Sequence, residues 1–232
     1  MKSNEITLDG DGVLFNYNLG VALLYKEVFC KDAKHILPGA YHVTNEYDLS
    51  SEKMTAGTFS EHMYTLFNKR KLWERLPAIE GAKEAIDIMV EKGYEVNCLT
   101  SMPVEYEKQR LNNAKLHGMK ITKVKAVDRS YAKSKGISNP KLKYIQENEP
   151  YAFIDDLLKN FLDMEEVKKG GKTQLIWLDN SYVDNPNEKY DQNMVTRVIT
   201  SLLEFAKALP VYEETEEIEL QKPKKIHTKQ EV

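Results

Sequence analysis

The sequence of 232 residues has few cysteines and no long apolar run. Its two cysteines, Cys30 and Cys98, lie in apolar segments without a neighbour at metal-ligand spacing. This excludes a multi-disulfide framework and a cysteine-based zinc site. A reduced protein fits better than one disulfide between them. No window approaches the roughly 18 apolar residues that cross a bilayer, and the first residues carry no apolar stretch of signal-peptide length. We therefore expect a cytoplasmic protein without a membrane partner.

The sequence also lacks a basic excess, since 33 Lys and Arg residues oppose 36 Asp and Glu residues, a formal net charge of -3. Proteins that bind nucleic acid by general phosphate attraction usually carry such an excess, so nucleic acid is not an expected partner. One local basic cluster is enough for a small phosphorylated substrate. The length allows one large domain, or a core with a smaller inserted module.

Short apolar runs alternate with amphipathic segments along the chain. Periodicity and turn residues predict strands over 5–9, 94–100, 121–127, 151–155 and 173–178. They predict helices over 19–30, 59–73, 79–93, 104–117, from Pro140, near 158–168, and over 194–208. This alternation predicts an α/β fold with a mostly parallel, Rossmann-like sheet that is covered by helices on both faces.

About seventy mostly helical residues separate the first predicted strand from the others. We therefore expect residues 1–14 and 77–210 to form the core, and residues 15–76 to form a small helical cap inserted after the first strand. Residues 211–232 are an acidic run followed by a basic run with little apolar content, which predicts a disordered tail. A specific interaction role for this tail is the alternative.

Polar side chains follow three of the predicted strands, where ligands bind in open α/β sheets. They are Asp9 and Asp11, then Thr100 and Ser101, then Asp155 and Asp156. Crowded carboxylates repel one another unless a hard divalent cation lies between them, and Mg²⁺ with oxygen ligands suits this arrangement best. The structural alternative is that DGDG is only a tight turn and IDD only a helix cap. The presence of both motifs, each after an apolar strand, favours a reactive site.

These residue types fit phosphoryl transfer. An aspartate in line with phosphorus attacks it and forms an acyl-phosphate that water later hydrolyses. A second carboxylate protonates the leaving alcohol and then deprotonates that water. The Thr100 hydroxyl, the Ser101 amide and a lysine would neutralise the phosphate.

Three segments resemble motifs of the haloacid dehalogenase-like hydrolases. ITLDGDGVLFNY resembles the first motif, VNCLTSMP the second, and YAFIDDLLKN the fourth in its Asp-Asp form, over about residues 5–180. The resemblance implies a nucleophile at Asp9, an acid/base at Asp11 that also ligates Mg²⁺ through its carbonyl, and a metal ligand at Asp156 supported by Asp155. An aspartate at the position of Asp11 points to phosphatases or phosphomutases, since dehalogenases lack it and transport ATPases carry threonine.

The family also requires a lysine near the start of the helix before the fourth motif. Lys133, Lys135, Lys141 and Lys143 are the candidates. Lys141 is favoured because it follows Asn139-Pro140, a good helix start, and Lys135 is second.

Within the family, the chain is most similar to the 5'(3')-deoxyribonucleotidases. Thr100-Ser101 before Pro103 is similar to their Thr-Ser-Pro, except that Met102 intrudes. The similarity makes Lys108 a candidate phosphate contact, with an exposed helix lysine as the alternative. Aromatic residues of the expected cap, Phe15, Tyr17 and the region Tyr41 to Tyr47, could stack on a base or simply pack the core.

The leading hypothesis is a Mg²⁺-dependent phosphomonoesterase that acts on a small phosphorylated metabolite, with a nucleoside monophosphate as the preferred substrate. The alternatives are the same chemistry on a sugar phosphate, and a catalytically idle relative that binds a phosphorylated ligand. A phosphomutase is less favoured because the sequence shows no obvious second phosphate site. The sequence does not indicate the oligomeric state.

Overall fold

The computed structural model describes residues 3–128, 136 and 139–213. The predicted tail therefore lies outside the described residues from residue 214 onward.

Two sheets are present in the described part of the chain. The strands are β1 (Glu5–Leu8), β2 (Lys34–His35), β3 (Tyr47–Asp48), β4 (Glu95–Thr100), β5 (Lys123–Ala126), β6 (Ala152–Asp155), β7 (Gln174–Leu178) and β8 (Arg197–Ile199). Six of them form one sheet in the order β5-β4-β1-β6-β7-β8, and every pair in it is parallel. Strands β2 and β3 form a separate antiparallel pair. The predicted α/β class with a parallel sheet is confirmed.

Helices connect the strands of the large sheet. The helices are α1 (Tyr17–Phe29), α2 (Val43–Glu46), α3 (Ala56–Arg70), α4 (Ala82–Glu91), α5 (Glu107–Leu116), α6 (Leu142–Asn148), α7 (Glu165–Gly170) and α8 (Leu202–Ala208). Helix α4 shows why they form where they do. Ala82, Ala85, Ile86 and Met89 recur at helical spacing on one face, and all four are buried.

The central strands are apolar because both faces of a parallel sheet are covered. Ile6 and Leu8 of β1, and Phe153 and Ile154 of β6, are all completely buried. Strand β1 lies in the middle, with β4 and β5 on one side and β6, β7 and β8 on the other. The winding of the sheet therefore changes direction at β1, which places the ends of β1, β4 and β6 beside a crevice suited to a ligand.

The chain between β1 and α4 contains α1, the β2–β3 pair, α2 and α3. Aromatic rings hold α1 to α3, since the centroid of Phe59 lies 5.6 Å from that of Tyr25 and 5.9 Å from that of Phe29. That this region is a separate cap with boundaries at 15 and 76 stays a prediction.

Two predicted helices differ from the structure, and one strand pair was not predicted. The predicted helix 194–208 is wrong in its first half, where Arg197–Ile199 forms edge strand β8 and α8 begins at Leu202. The predicted helix 158–168 is a 3₁₀ turn over Leu158–Phe161 followed by α7, and the left-handed φ of +62° at Asp163 lies between them. The β2–β3 pair was not predicted at all, because strands of two residues carry no periodic signal. None of the described helices is long and apolar enough to span a membrane.

Candidate active site

The ends of β1, β4 and β6 bring the predicted site residues to one edge of the sheet. Register pairs Leu8 with Cys98 of β4 and with Ile154 of β6, so the residues that follow these positions emerge together. The backbone N–H of Asp9 extends the β1–β6 ladder by donating to the carbonyl of Ile154 at 2.9 Å.

Lys141 joins the two acidic strand ends. Its side chain is completely buried, and Nζ lies 2.6 Å from Oδ1 of Asp9 and 2.6 Å from Oδ2 of Asp155. The Oδ1 atom of Asn139 accepts a hydrogen bond from the backbone N–H of Lys141 at 3.0 Å and orders the start of this segment. Lys141 is a candidate lysine within the described residues, and its side chain reaches Asp9.

The described part of the structure does not place any of the other three candidate lysines at the site. Lys143 is exposed and lies 3.6 Å from Glu147 on the same helix. Lys133 and Lys135 lie outside the described residues.

The charges of Lys141, Asp9 and Asp155 interact at this edge of the sheet. Burial, with a further contribution from the charge of Asp155 and against the lowering effect of Lys141, raises the pKa of Asp9 to about 6. Burial lowers the pKa of Lys141, but the charges of Asp155 and Asp9 outweigh this, so the net pKa of Lys141 is raised. Lys141 therefore stays a cation. The Asp9 carboxylate binds a proton more readily than an ordinary aspartate, and a metal cation could take the place of that proton.

Asp155 and Asp156 have different surroundings. Both oxygens of Asp155 are engaged, because Oδ1 accepts from the backbone N–H of Leu157 at 2.9 Å and Oδ2 accepts from Lys141, while the amide of Asn160 donates to both. In Asp156, Oδ2 accepts from the Tyr182 hydroxyl at 2.7 Å. The other oxygen, Oδ1, is buried and has no hydrogen-bond partner within the described part of the chain.

The unpartnered Oδ1 atom of Asp156 and the carboxylates around it are suited to a metal ion. Single carboxylate oxygens of Asp9, Asp155 and Asp156 lie within 4.8 Å of one another. Burial, followed by the charges of Asp155 and Asp9, raises the pKa of Asp156 well above its usual value. A divalent cation would remove this repulsion and give Oδ1 of Asp156 a partner, and oxygen donors suit Mg²⁺. The residues present fit such an ion, with Asp9 and Asp156 as ligands and Asp155 as support.

Gly12 is needed for this arrangement. Its φ is +88°, and a Cβ atom at this position would lie 2.2 Å from Oδ2 of Asp156. A side chain would therefore collide with the carboxylate as well as strain the backbone.

Asp11 lies beside the cluster on the same turn and is held by an arginine. Nη2 of Arg110 donates to Oδ1 of Asp11 at 2.7 Å. The Arg110 side chain is completely buried, whereas that of Asp11 is 28% exposed. Arg110 was not predicted as a site residue, because an arginine in the polar segment EKQRLNNAKL resembles any solvated helix residue.

The second-motif residues also reach the site. Thr100 and Ser101 line the cavity above Asp9, and their hydroxyls have no partner among the described residues. Lys108, by contrast, is exposed on α5 and is not among the described residues that line the cavity. Its role as a phosphate contact stays a prediction that the geometry does not favour.

A cavity of about 540 Å³ opens above the carboxylates. Its outer wall is rich in rings and neutral polar groups, contributed by Phe15, Asn16, Tyr17, Asn18, Tyr41, His42, Trp73 and Tyr182. No lysine or arginine lines it within the described part of the chain. The 39–46 segment is fixed over the site by Asp184, whose carboxylate accepts from the backbone N–H groups of Tyr41 and His42.

Solved structures share this architecture. A haloacid dehalogenase-like hydrolase from Burkholderia xenovorans LB400 superposes with a TM-score of 0.56 at 10% identity, over 90% of this chain and 97% of that one. The chain has the haloacid dehalogenase-like fold. A dehalogenase solved as an intermediate complex has a TM-score of 0.54 at 12% identity, over 91% and 99% of the two chains. A predicted phosphoglycolate phosphatase from Haemophilus somnus 129PT has a TM-score of 0.50 at 14% identity, over 89% and 98%.

No protein-family model matches the chain, and no curated protein matches it in sequence. At these identities the likeness concerns the haloacid dehalogenase-like fold itself. The chemistry of this chain depends on its own site residues.

Several of the residues that hold the site within this fold gave no signal in the sequence. Buried asparagines at positions 160 and 187 fix Asp155 and the carbonyl of Asp156, respectively. Asn187 lies in a polar loop, where asparagine is common for turn chemistry alone, and Asn160 lies in the segment 158–168 that was predicted as a helix. Tyr182 likewise belongs to a segment that reads as an unstructured polar connection.

Proposed function

We propose that this chain is a Mg²⁺-dependent phosphomonoesterase of the haloacid dehalogenase-like hydrolases, with Asp9 as the nucleophile. One observation carries the proposal. The buried cation of Lys141 bridges Asp9 and Asp155, and Asp156, which has one oxygen without a partner among the described residues, belongs to the same carboxylate cluster. A divalent cation would balance the negative charge that Lys141 leaves on the three carboxylates, and together with Lys141 it would supply positive charge for a phosphoryl group.

In the first step, Oδ2 of Asp9 attacks the phosphorus atom and the bond from phosphorus to the leaving oxygen breaks. Lys141 occupies Oδ1, so Oδ2 is the oxygen that no described residue engages by a hydrogen bond. Asp11 donates a proton to the leaving oxygen, which departs as an alcohol. The product on the protein is an aspartyl-phosphate at Asp9.

In the second step, Asp11 takes a proton from water, and the hydroxide oxygen attacks phosphorus. The bond between phosphorus and Asp9 breaks, which releases inorganic phosphate and restores the carboxylate. Thr100 and Ser101 supply unpartnered hydroxyls beside Asp9 that donate to the phosphoryl oxygens. A bound Mg²⁺, held by Asp9 and Asp156 with the carbonyl of Asp11, would supply positive charge for the phosphoryl oxygens.

Dehalogenation is the competing chemistry, since a dehalogenase is among the structures of similar fold. A halide leaves as a stable anion and needs no proton, so an acid at Asp11 would have no task. A 2-haloacid also carries a carboxylate, and no lysine or arginine of the described cavity lining could pair with it. The residues present therefore favour a phosphate ester.

The cavity favours a substrate whose organic part is planar and uncharged. Aromatic rings of Tyr17, Tyr41 and Trp73 line the space beyond the carboxylates, and such rings bind nucleobases by stacking. The described lining offers no cation for a second phosphate or a carboxylate. We therefore propose a nucleoside monophosphate as the substrate class, with a sugar monophosphate as the alternative.

Release of inorganic phosphate with Mg²⁺ tests the proposal. The panel should hold deoxyribonucleoside and ribonucleoside monophosphates, hexose phosphates and phosphoglycolate, with a 2-haloacid assayed for halide release. We expect turnover of nucleoside monophosphates above the other esters and no halide. Activity on sugar phosphates alone would refute the nucleotide specificity, and halide release without phosphatase activity would refute the phosphomonoesterase.

The alternative of a catalytically idle relative, which only binds phosphorylated ligands, is tested with the unmodified protein and one variant. Asp9→Asn should remove turnover while the protein keeps its fold, because the amide oxygen is a poor nucleophile. Failure of the unmodified protein to turn over any ester, combined with saturable binding of one of them, would favour the idle relative.

A further inference from the structure

Arg110 is a buried cation that the proposed reaction does not yet use. It lies on α5, and its side chain is completely buried. Its ion pair with Asp11 spans 2.7 Å between Nη2 and Oδ1. Its Nε and Nη1 atoms are buried and have no hydrogen-bond partner within the described ranges.

Two aromatic rings cover the Arg110 guanidinium. Its central carbon, Cζ, lies 4.8 Å from the ring centroid of Phe15 and 5.0 Å from that of Trp73. Phe15 follows the β1 turn that carries Asp11, and Trp73 lies where the chain returns toward α4. Stacking of a planar guanidinium on rings fixes its orientation. The edge that faces Asp11 is therefore held in one direction.

Stability alone does not account for this arrangement. A buried ion pair rarely adds net stability over apolar residues of similar volume, because desolvation offsets the attraction. Here the balance is worse, since two further N–H groups are buried without partners. Direct contact with substrate is also excluded in this conformation, because Arg110 is not exposed and does not line the described cavity.

We propose that Arg110 is a positioning residue for Asp11, an inference that rests on the proposed phosphatase function. Arg110 holds Oδ1 of Asp11 and so presents Oδ2 to the cavity, where it gives a proton to the leaving oxygen and later takes one from water. Lys141 organises the nucleophile on one side of the turn, and Arg110 organises the acid/base on the other.

A double-mutant cycle tests this role. Arg110→Met keeps side-chain length but removes the ion pair, and we expect kcat to fall about 10- to 100-fold with KM changed less than about threefold. Asp11→Asn should lower kcat by about 10²- to 10⁴-fold. In the Asp11→Asn background, Arg110→Met should lower kcat less than about threefold, because its target is already lost. Lys115→Ala, an exposed residue on the same helix, is the matched control and should match the unmodified protein.

Two further measurements keep the test decisive. Guanidinium added to Arg110→Ala should restore part of kcat, and Arg110→Lys should retain more activity than Arg110→Met. If Arg110→Met does not fold, the same cycle is run with Arg110→Lys. Multiplicative losses in the cycle, or a raised KM with unchanged kcat, would overturn the positioning role while phosphatase activity stands. Absence of activity in the unmodified protein would instead overturn the proposed function and this inference with it.

Discussion

The Nζ atom of Lys141 lies 2.6 Å from Oδ1 of Asp9, across 132 positions of sequence. The same atom lies 2.6 Å from Oδ2 of Asp155. One buried cation thus holds together two buried carboxylates that would otherwise repel each other. This relationship sets the first prediction.

Replacement of Lys141 by methionine should destabilise the protein and abolish turnover. The change leaves Asp9 and Asp155 without their partner, and the loss of one member of a buried ion pair typically costs about 3–5 kcal/mol. Lys143→Ala, at an exposed position two residues later, should change the free energy of unfolding by less than about 0.5 kcal/mol. Urea unfolding of the two variants measures both. Equal stability of the two would contradict the bridging role of Lys141.

Loss of the Tyr182 hydroxyl should weaken metal binding. The hydroxyl donates to Oδ2 of Asp156 and so helps to fix this carboxylate in its cluster with Asp9 and Asp155. Removal of such an outer partner usually lowers metal affinity about 10- to 100-fold. Isothermal titration of Mg²⁺ into Tyr182→Phe should show this loss, with Tyr190→Phe as a control away from the cluster. Unchanged affinity in Tyr182→Phe would show that Asp156 does not need this bond.

Gly12→Ala should disrupt the metal site more than a comparable glycine substitution. The added Cβ would lie 2.2 Å from Oδ2 of Asp156, so the carboxylate must move. Gly171 is the matched control, because its φ of +67° imposes similar backbone strain and no atom lies within 4 Å of its Cβ position. Both variants should lose about 1 kcal/mol of stability from strain. Only Gly12→Ala should also lose the rise in melting temperature that Mg²⁺ gives, and equal rises in both would contradict the proposed contact.

The stability of the metal-free protein should fall as pH rises from about 4 to beyond 6. Burial raises the pKa of Asp9 to about 6, so the folded state binds a proton that the unfolded state releases near its usual value of 3.8. This contribution is fully present below the unfolded pKa and is lost as pH rises through the folded one.

Mg²⁺ should therefore raise the melting temperature more at pH 7.5 than at pH 5, where it competes with the proton on Asp9. Differential scanning calorimetry with and without Mg²⁺ at the two pH values gives the comparison. In Asp9→Asn the Mg²⁺-induced rise in melting temperature should differ less between the two pH values, because the proton on Asp9 that competes with Mg²⁺ is gone. A larger Mg²⁺ effect at pH 5 would contradict this account of the cluster.

The sequence predicted the sheet and the acidic cluster because both have local signals. Apolar runs such as ITL and AFI identify central strands, and polar residues just after them mark the ligand edge of a parallel sheet. The need for a lysine came from the family resemblance, and Lys141 was favoured among the four candidates by its place after Asn139-Pro140, a helix-start signal that is also local.

The remainder depended on contacts between distant segments. Strand β8 has three residues, two of them exposed, and its pairing with β7 overrides the helix predicted for the first half of the segment 194–208. Arg110 and Tyr182 gain their roles only from partners 99 and 26 positions away, Asp11 and Asp156. No rule of sequence spacing links such residues, so these contacts could be found only from the structure.

The central claim is that Asp9 carries the phosphoryl group between the two half-reactions. Asp11→Asn should slow hydrolysis of the intermediate, while an activated aryl phosphate needs no acid to expel its leaving group. Mass spectrometry of Asp11→Asn after acid quench, with that substrate and Mg²⁺, should find a phosphoryl group on the peptide that contains Asp9. The double variant Asp9→Asn/Asp11→Asn should carry none. Phosphoryl transfer to another residue, or rapid turnover by Asp9→Asn, would contradict the account.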